Sequence, residues 1–179
     1  MVIWLIGLAG AGKTSIGRAL YRSIRARDPA TVFLDGDQVR EAFGNDLGFS
    51  LEDRRVNGWR ICRICALLDA QSINVVCATL SQFHDQQSWN RATMRQYFEV
   101  FIDVSMNTLI KRDQKGLYSG ARSGSIENVV GVDMPFPRPI APDLILDNDR
   151  ENGDFAMLSA DILAAISKRF AGWPEVPTP

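Results

Sequence analysis

Residues 2–15 read Val2-Ile-Trp-Leu-Ile6-Gly7-Leu-Ala-Gly-Ala-Gly12-Lys13-Thr14-Ser15, an apolar run that turns directly into a glycine-rich loop. Gly7 to Thr14 fit the pattern G-x-x-x-x-G-K-[ST]. Glycines here let successive backbone N–H groups face one concavity, where side chains would clash with phosphate oxygens. Lys13 is then in reach of the β- and γ-phosphates of a nucleotide, and the Thr14 hydroxyl in reach of Mg²⁺. The stretch Lys13–Arg27 carries Ile16, Ala19, Leu20 and Ile24 at helical spacing, so the positive end of a helix dipole adds to the same pocket. At average residue usage the four fixed positions coincide in such a chain about once in a few hundred. A nucleoside triphosphate is the expected ligand.

Working outward, β-rich apolar runs recur at Thr31–Leu34, Asn74–Thr79, Glu99–Val104 and Asp143–Leu146. Helical periodicity fills most of the intervals. Leu51–Gln71 follows Ser50, with Asp53 three residues on as a weak capping box. Asp85–Tyr97 and Phe155–Phe170 are the other helical stretches, the latter with Leu158, Ile162, Leu163 and Ile166. Strands apolar throughout and alternating with helices imply a parallel sheet covered on both faces. Right-handed crossovers then give an α/β class fold, a three-layer α/β/α sandwich on a five-stranded parallel sheet. Ligands in such folds bind beyond the carboxyl ends of the strands. Asp113–Pro142 breaks the alternation, with Gly116, Gly120, Gly124, Gly131 and Pro135, Pro137, Pro139, Pro142. A connection this long in a compact domain reads as a lid, anchored by Leu117, Tyr118, Val129, Val130 and Val132. Residues 1–172 are expected to form one domain, and 173–179, with three prolines, a frayed tail.

The 179 residues carry 20 Lys+Arg against 21 Asp+Glu. A net charge of −1 makes no global case for nucleic acid or an anionic membrane. Six apolar residues without a basic flank fit neither a signal peptide nor a membrane span, so a cytoplasmic location is expected. Cys62, Cys65 and Cys77 are an odd number, which argues against a disulfide framework. The Cys62-x-x-Cys65 spacing invites a zinc or redox reading. Further ligands are wanting, since His84 is the one histidine, and the pair falls at core positions of a helical stretch.

The loop does not settle the reaction. A guanine-reading N-K-x-D string is absent, and a mechanical ATPase usually carries more chain. A small chain with a glycine- and cation-bearing lid looks like a kinase of small molecules. The second strand run ends in Leu34-Asp35-Gly36-Asp37, with Arg40 beyond. Two carboxylates flanking a glycine can orient an acceptor hydroxyl and order Mg²⁺ through water; the plainer reading is an Asx turn before a helix.

These residues, with Asp46-Leu-Gly-Phe49-Ser50, Arg54, Asn57, Arg112-Asp113-x-Lys115-Gly-Leu-Tyr118 and Gly131-Val-Asp133, resemble the adenylyl-sulfate (APS) kinase family, in family order over most of the chain. The family transfers a phosphoryl group from ATP to the ribose 3′-OH of adenosine 5′-phosphosulfate. The resemblance implies a P-loop kinase fold with ATP and Mg²⁺ as cofactors. It assigns Gly7, Ala9, Gly10, Ala11, Gly12, Lys13, Thr14 and Ser15 to ATP, and Thr14 with Asp37, through water, to the metal. Asp35 becomes the base or orienter of the 3′-OH, with Lys13 and Arg112 on the transferring group. Asp37, Arg40, Phe49, Arg54, Asn57, Leu80, Ser81, Lys115 and Val129 fall to the acceptor, with Phe49 stacking on its base. Paired arginines suit an acid anhydride with two negative charges. The implied partner is a small-molecule nucleotide; family members are often homodimers, and no stretch here identifies an interface.

The chain also departs from the family. Where the family reads I-S-P-[YF]-R, this chain has Leu80-Ser81-Gln82-Phe83-His84, exchanging a permanent cation for a mostly uncharged ring near neutral pH. The lid's N-F-T-G becomes Asn128-Val129-Val130-Gly131, which removes the aromatic on the second side of the base. Both departures resemble a divergent branch from bacterial capsule and surface-polysaccharide pathways, whose acceptor is cytidine diphosphoramidate. A nucleotide-binding regulator with a dead site would lack Asp35 or Lys13. A gluconate- or nucleoside-type kinase would not explain Phe49-Ser50, Arg54 and Asn57.

Overall fold

The computed structural model describes residues 1–113, 116–149, 154–171 and 173. Five strands form a single sheet: β1 (Val2–Ile6), β2 (Thr31–Asp35), β3 (Asn74–Thr79), β4 (Tyr97–Asp103) and β5 (Leu144–Asp147). Their order is β2-β3-β1-β4-β5 and all neighbours are parallel. The helices are α1 (Lys13–Arg25), α2 (Gly36–Ala42), α3 (Leu51–Ala70), α4 (His84–Thr93), α5 (Met106–Arg112), α6 (Leu117–Arg122) and α7 (Phe155–Arg169).

The sheet is apolar on both faces, and alternate residues of β1 serve opposite layers. Ile3 and Leu5 join Ile16, Leu20 and Ile24 of α1 and Ile162, Leu163 and Ile166 of α7 in one core. Val2, Trp4 and Ile6 join Ile61, Cys62 and Cys65 of α3 with Val75 and Cys77 in the other. This is the three-layer sandwich that continuous apolar strands imply.

In register, Ile6 at the end of β1 pairs with Thr79 of β3 and with Phe101 of β4, while Asp35 of β2 pairs with Ala78. The loops after all these strands therefore open on one edge. The P-loop sits at its middle, with Asp35–Asp37 and Leu80–His84 on one side and Asp103–Met106 and Asn148 on the other.

Some expectations shift. The helix expected over Asp85–Tyr97 is α4, which starts at His84 and ends at Thr93; Met94 is already extended. Tyr97 and Phe98 instead begin β4, paired with Val2 and Ile3, because ring burial in the sheet outweighs continuation of the helical period. The lid region contains a helix, α6, whose left-handed N-cap is Gly116 at φ 62°. Residues 114–115 lie outside the described part, as do most of the tail, 174–179, and residue 172.

Candidate active site

The loop after β1 adopts the geometry its glycines allow. Gly10 and Gly12 have φ of +76° and +96°, a region that L side chains rarely enter. A Cβ on Gly12 would also lie 2.7 Å from Asn148 Nδ2. Successive carbonyls of the loop are engaged from outside it. Tyr118 Oη donates to Ala9 O at 2.8 Å and Asn148 Nδ2 to Ala11 O at 2.9 Å. Arg112 Nη1 approaches Gly10 O at 3.5 Å, and its Nη2 donates to Asn148 O at 2.8 Å. Within the loop the Ala11 N–H donates to Leu8 O at 3.2 Å; with three carbonyls tied outward, the other N–H groups can serve an anion. Lys13 Nζ donates to Leu8 O at 2.7 Å, folded back over its own loop, and Ser15 is exposed in the first turn of α1. Burial raises the Tyr118 phenol to about 12, so it stays a donor at any working pH.

Asp35 is half-buried at the end of β2 and accepts from Thr14 Oγ1 at 2.7 Å and from the Asp37 N–H at 3.0 Å. The second bond makes it the N-cap of α2, so the Asx-type turn read from the sequence is present as well. The carboxylate beside the Thr14 hydroxyl is thus Asp35, whereas Asp37, expected to share the metal with Thr14, lines the neighbouring pocket. Gly36 fits there because a Cβ would come within 3.3 Å of Thr79 Oγ1.

That neighbouring pocket brings together Asp37, Arg40, Phe49, Arg54, Asn57, Leu80 and Ser81. Arg40 Nη1 donates to Leu47 O and Gly48 O at 3.0 and 2.7 Å, which fixes the loop carrying Phe49. The Arg40 and Arg54 guanidinium carbons lie 4.8 and 5.4 Å from the Phe49 ring centre, and the ring is 54% exposed. Arg54 also donates to Asn128 O at 2.8 Å, joining α3 to the lid. Desolvation, then the charge of Arg40, lowers the Arg54 pKa, while Asp37 and Asp133 oppose the shift; two cations side by side with partial burial favour an anionic ligand. Ser81 stands at φ +51°, held by Trp4 Nε1 donating to its Oγ at 3.0 Å and Gln87 Nε2 to its carbonyl at 2.8 Å. A non-glycine residue in that conformation costs roughly 1 kcal/mol or more, and such strain gathers at functional sites.

Two expected acceptor residues stand apart. Val129 is 1% exposed and packs in the α1/α7 core, so its side chain does not line the pocket; its N–H is taken by Asp133 Oδ1 at 2.5 Å. An apolar β-branched side chain is better buried than set against a polar cleft. Lys115 lies outside the described residues. In turn, Gln82, Phe83 and Gln86 line the pocket without having been read from the sequence. Gln82, as the residue in the family's proline position, is the one that carried a signal. His84 Nε2 lies 2.8 Å from Arg138 O. A carbonyl only accepts, so the proton is on Nε2 and the ring ties α4 to the segment before β5.

A glycine loop between a central parallel strand and a helix, with a carboxylate and an arginine pocket on the same sheet edge, defines a P-loop phosphotransferase. Residues 1–147 match the family described as Adenylylsulphate kinase, and the chain belongs to that family; it is a nucleotide kinase. It is 39% identical over 151 residues to the cytidine diphosphoramidate kinase of Campylobacter jejuni subsp. jejuni serotype O:2, covering 84% of this chain and 88% of that one. It is 38% identical over 150 residues to an adenylyl-sulfate kinase of Paraburkholderia xenovorans, 83% of this chain and 84% of that one. Among solved structures, the Mycobacterium tuberculosis APS kinase CysC in complex with AMPPNP and APS superposes with a TM-score of 0.82. The two are 31% identical, and the match covers 93% of this chain and 96% of that one.

Proposed function

We propose that the protein transfers the γ-phosphoryl group of ATP to the ribose 3′-OH of a nucleotide bearing an activated 5′-group. The observation that carries this reading is the convergence of Arg40, Phe49, Arg54 and Asn57 in one pocket, beside the Thr14–Asp35 contact. Adenosine 5′-phosphosulfate, giving the 3′-phosphorylated product PAPS, is the acceptor named for most of the relatives. Cytidine diphosphoramidate is the second reading. It is favoured by Val129, which stands where the resembling family carries an aromatic residue, and it would undergo the same 3′-OH chemistry.

The residues suit Mg²⁺. A hydroxyl and a carboxylate in contact are hard oxygen donors, and Mg²⁺ usually takes one or two protein ligands, the rest being water and phosphate. Bound there, the ion would draw charge from the transferring phosphoryl group. The chain's own part is positioning and neutralisation. Lys13 turns from Leu8 O to the β/γ-phosphates, Arg112 shields the transferring group, and Asp35 orients the 3′-OH and takes its proton. Arg40 and Arg54 hold the two negative charges of the activated 5′-group. Phe49 stacks on the base, and the lid, residues 113–142 with Lys115, covers both substrates.

The test is a phosphotransfer assay with ATP/Mg²⁺ and each acceptor in turn, the 3′-phosphate being identified in the product. Formation of that product from either acceptor is the expected result. Phosphorylation of some other alcohol with neither nucleotide accepted would remove the acceptor assignment.

A further inference from the structure

Two residues that line the acceptor pocket carry polar groups that the described residues leave unanswered. Asn57 and Gln82 are 6% and 5% exposed. Asn57 Oδ1 and Gln82 Oε1 are buried without a hydrogen-bond partner among the described residues, and both residues line the same cavity. For Gln82 the orientation is set: Nε2 donates to Pro135 O at 3.3 Å. That carbonyl can only accept, so Nε2 faces Pro135 and Oε1 faces away from it. A buried carbonyl without a donor is destabilising by the desolvation of that group. Two of them on residues that line one ligand cavity suit a ligand that brings N–H or O–H groups.

The position of the cavity says which end of the ligand. Its volume is about 80 Å³, room for a few waters or one tetrahedral group and well short of the ~300 Å³ at which small-molecule pockets begin. So small a space does not hold a base, and the exposed ring of Phe49 among its lining residues offers one a stacking face. Arg40, Ser81, Asn57 and Gln82, all buried, line the same space.

We infer that Gln82, with Asn57, reads the terminal group of the acceptor and selects an N–H-bearing phosphoramidate over a sulfate. This rests on the proposed 3′-kinase activity and chooses between its two acceptors. A phosphosulfate and a diphosphoramidate have the same tetrahedral shape, and each carries two negative charges, so Arg40 and Arg54 do not tell them apart. The sulfate end has three oxygens and no hydrogen. Against it Gln82 Oε1 stays unpaired and meets a lone pair. The amidate end presents –NH₂, whose two hydrogens can be accepted by Gln82 Oε1 and Asn57 Oδ1. A site whose polar groups are left unpaired by one ligand rejects that ligand more strongly than any apolar contact could. A proline at position 82, as in the resembling family's loop, carries no such acceptor on its side chain.

The experiment compares two acceptors with one base, adenosine 5′-phosphosulfate and adenosine 5′-diphosphoramidate, so that only the terminal group differs. With saturating ATP/Mg²⁺, the full chain's kcat and KM are measured for each acceptor by following formation of the 3′-phosphorylated product. The expected result is a kcat/KM at least about tenfold higher for the amidate, carried mainly by KM. Gln82→Leu should bring that ratio toward one while leaving the KM for ATP unchanged. A wild-type ratio of one or below overturns the inference, as does a ratio that Gln82→Leu leaves unaltered. Should that variant fail to fold, Gln82→Met serves in its place, and the wild-type ratio decides independently. Failure to phosphorylate either nucleotide is a different result, and it removes the 3′-kinase reading itself.

Discussion

Asp35 holds two groups at once, the Thr14 hydroxyl and the Asp37 N–H in the first turn of α2. Asp35→Ala therefore removes the proposed proton acceptor and leaves the loop and Lys13 in place. Turnover is expected to fall by about 100-fold or more, with ATP affinity within a few-fold of wild type by calorimetry; near-normal turnover would take Asp35 out of the mechanism. Gly12 is the opposite case, a residue important for having no side chain. Gly12→Ala places a Cβ 2.7 Å from Asn148 Nδ2 at a φ of +96°. A left-handed L-residue costs about 1–2 kcal/mol, so the melting temperature should drop by roughly 2–8 °C, with loss of ATP binding in the same variant. Both positions are legible from the sequence, because G-x-x-x-x-G-K-[ST] and D-G-D state their backbone requirements locally. Gln82 is the contrary example. A glutamine in a loop is ordinary until its burial and its hydrogen bond to Pro135, 53 positions away, are known.

At the level of elements, the P-loop is held by residues from three others. Tyr118 of α6, Arg112 of α5 and Asn148 after β5 take the carbonyls of Ala9, Gly10 and Ala11. Tyr118→Phe and Asn148→Ala each free one carbonyl to turn inward, where it would repel a phosphate. Each should raise the KM for ATP several-fold with a smaller effect on kcat, and a kcat loss without a KM change would contradict the bracing role. A second group lies where β4 meets α4 and β5. Glu99 is buried, accepts from Tyr97 Oη at 2.7 Å, and lies 4.0 Å from Arg91; Arg91 and Arg169 also pair with Asp143. Desolvation raises the Glu99 pKa, against the hydrogen bond from Tyr97 and the charge of Arg91. A carboxyl whose pKa is raised by folding binds its proton more tightly in the folded state. Its contribution is full in acid and is lost as pH rises through the folded value. In thermal melts from pH 4 to 8, Glu99→Gln should gain melting temperature relative to wild type as the pH rises. A difference constant with pH would show that Glu99 does not titrate in this way. The elements themselves were unevenly legible. All five strands can be read because each is a compact apolar run, yet α2, α5 and α6, of seven, seven and six residues, are too short for a 3.6-residue period to show. The start of β4 is obscured because Tyr97 and Phe98 extend the apolar pattern of the helix before them.

For the molecule as a whole, the sheet's two-sided burial places all three cysteines between β3 and α3. They are free and buried, and burial lifts the Cys62 thiol to about 12; all three are core residues, as the helical spacing of Cys62 and Cys65 suggests for that pair. The native protein should be silent to a thiol reagent such as Ellman's and release three equivalents in denaturant; a fast-reacting thiol in the native state would contradict the packing. No described helix is long and apolar enough to cross a membrane. The near-zero net charge also acquires a meaning that composition alone lacks. Arg40, Arg54 and Arg112, proposed here to meet polyanions, stand at one sheet edge, while Asp69, Asp143 and Glu99 sit in ion pairs elsewhere. The outer brace on the P-loop has a consequence for the order of synthesis. The nucleotide motif is complete by residue 14, yet the carbonyl of Ala11 is held by a residue 137 positions later. At about 5–20 residues per second on the ribosome, roughly 7–27 seconds pass between the two. A nascent chain thus carries the motif long before it has a working nucleotide site, and ATP retention reports that nearly the whole sheet has been made.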